Sequence, residues 1–133
     1  MRRCGIDTNV ILRLIVNDDA EQRRLALRFS EQMGDTFVGH LTLITLIELD
    51  WALRSRYGYS RADVAEAIGK LLRVRGLSVE SHDLVVFALK LMRGKSDFAD
   101  VLIALKCREA GCEKTVTFDQ TAARFIPGME LLA

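Results

Sequence analysis

The chain reads as an α/β protein built on a mainly parallel sheet, and three features of the sequence lead there. Strand-type runs alternate with helix-type segments along its whole length, the pattern of right-handed crossovers between parallel strands. Two of the strand-type runs stop at an aspartate: Arg3-Cys4-Gly5-Ile6 runs into Asp7-Thr8-Asn9, and Thr115-Val116-Thr117-Phe118 runs into Asp119. In open parallel sheets ligand-binding groups collect at the carboxyl ends of strands, so both aspartates are candidates for a site. The third feature is punctuation: cap residues and glycines bracket nearly every helical segment.

Taken in order, Val10, Ile11, Leu14 and Ile15 form an apolar stripe with Arg13 on another face, which predicts a helix after Asn9. Asp18 or Asp19 caps a second helix over residues 20–33, with Leu25, Phe29 and Met33 inward and Gly34 as its stop. Residues 36–39 form a second short strand. Residues 41–57 form a strongly apolar helix, most of whose circumference Leu43, Ile44, Ile47, Trp51 and Leu53 are expected to bury. Glu48 stands in the middle of it, and a carboxylate there needs a partner. After Gly58, Ser60 and Asp63 make a capping box for a helix over residues 61–74, with Val64, Ile68, Leu71 and Leu72 inward and Gly76 as its end. Leu77–Val79 is a third strand, and Ser81 is placed to cap a helix over residues 82–93. The loop Gly94-Lys95-Ser96 leads to Asp97-Phe98-Ala99-Asp100, which opens a helix closed by Gly111. Beyond Asp119 come a short helix, Gln120–Phe125, the turn Pro127-Gly128, and a last edge strand from Met129.

A length of 133 residues suits one domain, residues 1–133, whose core needs no disulfides. The net charge of +1 does not mark a polyanion binder, so a nucleic-acid substrate would be held by local cations or a metal. No run is apolar enough to span a bilayer and no secretory leader is visible, which predicts no membrane association. Cys4, Cys107 and Cys112 are an odd count, expected to be reduced thiols in a cytoplasmic protein. Cys107 and Cys112 lack zinc-knuckle spacing, and His40 and His82 show no ligand pattern.

Four acids stand out by position: Asp7 and Asp119 at strand ends, Glu48 inside an apolar helix, and Asp100 near a helix start. Asp97, three residues before Asp100, shares a helical face with it. Simpler roles exist for each. Asp97 suits a helix N-terminus, Asp7 and Asp119 suit turns, and Glu48 suits an ion pair with Arg13 or Arg54. Acids converging on one cleft would repel unless a cation sat among them. Hard oxygen donors without organised histidine or cysteine point to Mg²⁺ or Mn²⁺. Such an ion makes a bound water more acidic, so metal-assisted phosphodiester hydrolysis is the expected reaction class.

Four motifs in order, Ile6-Asp7-Thr8-Asn9-Val10-Ile11, Leu46-Ile47-Glu48-Leu49, Asp97-Phe98-Ala99-Asp100-Val101-Leu102-Ile103-Ala104 and Thr117-Phe118-Asp119, closely resemble those of PIN-domain nucleases. The chain's small size, with nothing appended, is similar to the VapC toxins of type II toxin–antitoxin modules. The resemblance implies a three-layer α/β/α fold around a central, mainly parallel sheet of four to five strands. It also implies a Mg²⁺- or Mn²⁺-dependent endoribonuclease, inhibited by a VapB-type antitoxin and acting as a homodimer through a face near Trp51, Leu53 and the helix at residues 81–93. By position, Asp7, Glu48, Asp100 and Asp119 match the family's acidic quartet and Asp97 an accessory acid. Thr8, Asn9 and Thr117 match polar groups that orient the ligands. Arg13, Arg54, Arg56, Lys95 and Lys106 are candidate RNA contacts. Two other readings compete. One is a PIN-like module that binds protein or RNA without cutting. The other is a phosphotransfer domain with Asp7 as nucleophile, disfavoured because Asn9 stands where such sites want a second acid.

Overall fold

A computed structural model describes residues 1–133. Seven helices and five strands make up the chain, with one or two helices between successive strands, and every strand pairing is parallel, as the α/β reading requires. The chain divides into two compact units, Met1–Ser81 and His82–Ala133.

The first unit runs β1 (Arg2–Gly5), α1 (Thr8–Ile15), α2 (Ala20–Ser30), β2 (Phe37–Leu41), α3 (Leu43–Tyr57), α4 (Arg61–Leu71) and β3 (Leu77–Val79). Its sheet has the order β1-β2-β3, with Gly5 opposite His40 and Leu41 opposite Val79. Phe37, Gly39 and Leu41 alternate onto the buried face of β2. Ile11 and Leu12 from α1, Leu46, Leu49 and Leu53 from α3, and Val64 and Ile68 from α4 complete that core. One glycine is required by contact as well as conformation: Gly76, at φ +79°, lies so close to Gly34 that a Cβ there would collide with its backbone.

The second unit runs α5 (His82–Met92), α6 (Phe98–Glu109), β4 (Thr115–Thr117), α7 (Gln120–Phe125) and β5 (Met129–Leu131). β5 lies parallel to β4, with Thr117 opposite Leu131, so the five strands form a sheet of three and a sheet of two. Val85, Ala88, Met92, Phe98 and Val101 are its most deeply buried side chains, with Leu102 beside them in burial.

The structure corrects several local expectations. α2 ends at Ser30, not Met33, and it buries Ala26 while Leu25 is half exposed. α3 turns Leu46, Leu49 and Leu53 inward, which leaves Ile44 and Trp51, roughly 200° around the helix from Leu46 and Leu53, at 73% and 58% exposure. Leu53 is fully buried and therefore core, not part of a partner-binding face. Ser81 adopts φ 51°, whereas an N-cap needs extended backbone, so it does not cap α5 as expected. The Ser60–Asp63 capping box forms as the sequence predicts. No helix is long and apolar enough to cross a membrane.

Candidate active site

The corner between β1 and α1 is built around Asp7. Ile6 continues the strand by donating its N–H to the His40 carbonyl at 3.0 Å, and its side chain is buried. Asp7 then keeps extended backbone while its side chain accepts the Thr8 N–H at 2.8 Å. The negative carboxylate thus sits at the positive end of α1, where it is favoured. Thr8 is buried, and a buried hydroxyl needs a partner. It donates to Glu48 Oε1 on α3 at 2.8 Å. Thr8 therefore ties Asp7 to Glu48, two acids far apart in the sequence.

Glu48 itself is exposed. The buried carboxylate of α3 is Asp50, 1% exposed, and Arg54 grips both of its oxygens at 2.9 and 3.0 Å. This corrects the expectation that Glu48 is the acid needing a buried partner. The i, i+4 spacing of Asp50 and Arg54 was the available signal.

A cavity of about 470 Å³ opens beside this corner, lined by Asp7, Asn9, Val10 and Arg13 on one side and by Leu25 and Phe29 of α2 on the other. Asn9 is exposed on it. Arg13 is held locally: Nε donates to Gln22 at 2.6 Å and a terminal nitrogen pairs with Asp18 at 3.1 Å. The Tyr57 hydroxyl donates to Asp18 at 2.6 Å, and this bond with the Arg13 charge holds the Asp18 carboxyl below its ordinary range. The Arg13 guanidinium is raised, chiefly through Tyr57 and then through Asp18.

In the second unit Asp97 occupies the N-cap position of α6 without a capping bond from its side chain, and Asp100 lies in the first turn. Asp119 caps α7 by accepting the Ala122 N–H at 3.0 Å, and its own N–H goes to the Thr117 hydroxyl at 3.0 Å. Thr117 thus orients Asp119 through the backbone. Of the remaining basic candidates, Lys95 lies over the Phe125 ring at 5.6 Å, Arg56 over Trp51 at 5.8 Å, and Lys106 pairs with Glu109 at 2.7 Å.

The donor set suits a hard divalent cation, because all the site acids offer carboxylate oxygen. Asp7 and Glu48, which Thr8 joins, are two carboxylates of that kind. No group of three or more histidine, cysteine, aspartate or glutamate side chains is assembled to hold an ion.

Comparison with known proteins agrees with the motif order. The profile of the PIN domain matches residues 5–125, a span that includes Asp7, Glu48, Asp97, Asp100 and Asp119. No curated protein gives a significant match to the chain. With a match over nearly its whole length, the chain belongs to the PIN domain family.

Proposed function

We propose that this PIN domain, spanning the whole chain, is the toxin component of a type II toxin–antitoxin system. It acts as an endoribonuclease in the cytoplasm and is restrained by a VapB-type antitoxin. PIN domains are nuclease-type hydrolases acting on nucleic acid, and they generally use divalent metals. The observation that carries the finer reading is the Asp7–Thr8–Glu48 link, since Thr8 joins the first two motif acids, donating its backbone N–H to Asp7 and its buried hydroxyl to Glu48.

Asp7, Glu48, Asp100 and Asp119 are the residues this reading assigns to hold Mg²⁺ or Mn²⁺, with Asp97 accessory; the assignment of all four rests on motif order in the sequence. When bound, the ion supplies Lewis acidity that acidifies water and offsets phosphate charge. The chain's own part is positional. Thr8 holds Glu48, Thr117 holds Asp119, and Asn9 offers an amide at the rim of the cavity beside Asp7. Because the attacking group in this reading is water, the RNA 2′-hydroxyl is not required as nucleophile. Lys95, over Phe125, and Arg56, over Trp51, are the basic candidates set against aromatic rings, an arrangement suited to single-stranded RNA. The exposed Ile44 and Trp51 on α3 support a homodimer face.

The rival reading is a non-catalytic module that binds protein or RNA without cutting. Cleavage of total RNA by purified, antitoxin-free protein separates the two, run with Mg²⁺, with Mn²⁺ and with EDTA, beside Asp7→Asn. Discrete fragments that need metal and vanish in the variant support the nuclease. Intact RNA in every condition, with folded protein, transfers the assignment to the binding module.

A further inference from the structure

The C-terminal corner of α6 places two of the three cysteines at positions that a single backbone motif brings together. Gly111 has φ +94°, its N–H donates to the Arg108 carbonyl at 3.0 Å, and the Cys112 N–H donates to the Cys107 carbonyl at 3.0 Å. With α6 ending at Glu109 and capped by Ala110, this is the full Schellman pattern of a six-to-one bond enclosing a five-to-two bond. Its two outer positions, here Cys107 and Cys112, are those whose side chains characteristically meet across the motif. In most proteins that contact is hydrophobic. Here both side chains are thiols, reduced and separate in this structure, with Cys112 exposed and Cys107 half-buried.

We propose that Cys107 and Cys112 form a covalent redox site, a dithiol that closes to an intrachain disulfide on reaction with a low-molecular-weight disulfide such as oxidised glutathione. Cys112 reacts first, because it is exposed and lines a cavity of about 290 Å³ together with Arg108, Glu113 and Lys114; Lys114 is paired with Glu130 at 3.1 Å, which leaves Arg108 as the cation suited to a small disulfide bearing carboxylates. Its thiolate attacks one sulfur of the reagent. A mixed disulfide forms, and one small thiolate leaves and takes up the proton that Cys112 gave up. The Cys107 thiolate then attacks the Cys112 sulfur and expels the second small thiol. The two protein thiols lose two electrons and two protons, and the reagent is reduced to two thiols. The closed bridge staples the last turn of α6 to the segment leading into β4. Cys4 lies on β1 and takes no part.

The inference stands apart from the nuclease reading, and its test does not use RNA. The full chain is incubated with oxidised glutathione, alkylated, and analysed by intact mass and peptide mapping. The expected result is loss of two hydrogens, a single 107–112 linkage, Cys4 alone alkylated, and full reversal by dithiothreitol. Closing so short a loop should raise the thermal midpoint by about 5 °C relative to the reduced protein. Cys107→Ser should instead stop at the mixed disulfide on Cys112, since the resolving thiol is gone. A stable mixed disulfide on the wild-type chain with Cys107 alkylated, a disulfide-linked dimer through Cys112, or a linkage to Cys4 would each overturn the proposal.

Discussion

Two corners of the molecule follow the same plan and differ in what holds them. At both, a strand ends at an aspartate that caps the next helix: Asp7 between β1 and α1, Asp119 between β4 and α7. Around Asp119 the side-chain bonds are local: the Asp119 N–H donates to the Thr117 hydroxyl and the Ala122 N–H donates to the Asp119 carboxylate. Around Asp7 the arrangement reaches across the first unit, because Thr8 is buried and spends its hydroxyl on Glu48 of α3. The first corner depends on a packed interior, the second on a few consecutive residues. Substitutions near Asp7 should therefore disturb more than those near Asp119, although both aspartates carry equal weight in the proposed chemistry.

The largest effect expected is on cleavage. Asp7→Asn and Asp119→Asn should each lower RNA hydrolysis by at least about 10²-fold, as loss of a charge-stabilising group does, with circular dichroism unchanged. Cleavage that survives at one corner would make that corner structural only.

Next comes α3, where the two acids should part company. Asp50→Ala removes the buried carboxylate that the half-buried Arg54 guanidinium grips and should cost about 3 kcal/mol of stability in urea unfolding. Glu48→Gln, at an exposed position, should leave stability nearly unchanged and lower cleavage. The reverse pattern would return Glu48 to a structural role.

A smaller contrast tests the corners directly. Thr8→Val leaves its buried site without the hydroxyl bond and should cost about 1 kcal/mol, while freeing Glu48 should lower cleavage about tenfold. Thr117→Val, at the local corner, should cost about 0.5 kcal/mol. Equal costs would remove the distinction between long-range and local support.

The smallest effect concerns pH. Asp18 titrates below its ordinary value of 3.8 in the folded chain, so its contribution to stability is present above that value and is lost as pH falls through the lower folded one. Tyr57→Phe removes the first cause of the shift and should move the Asp18 titration, followed by NMR, back up toward 3.8. An unchanged titration would leave the Arg13 charge and the backbone hydrogen bond at Asp18 as the causes.

What the sequence by itself determined are the features with short-range causes. The strand–aspartate junctions, the Ser60–Asp63 box and the Gly58 and Gly111 stops depend on residues within one turn of each other, so their chemistry is legible in the residue types, whereas α2 and α4 end several residues before Gly34 and Gly76. The order of the four motifs was legible for the same reason, and it led to the family. Tertiary structure decided which side of each helix faces inward. Composition marks α3 as apolar nearly all round, yet only packing against α1 and α4 selects Leu46, Leu49 and Leu53 over Ile44 and Trp51. It also decided that Asp50, not Glu48, is the buried acid, and that Thr8 joins Asp7 to Glu48. A hydrogen bond between residues so distant in the chain has no local signature; it exists because burial leaves the Thr8 hydroxyl no water to bond.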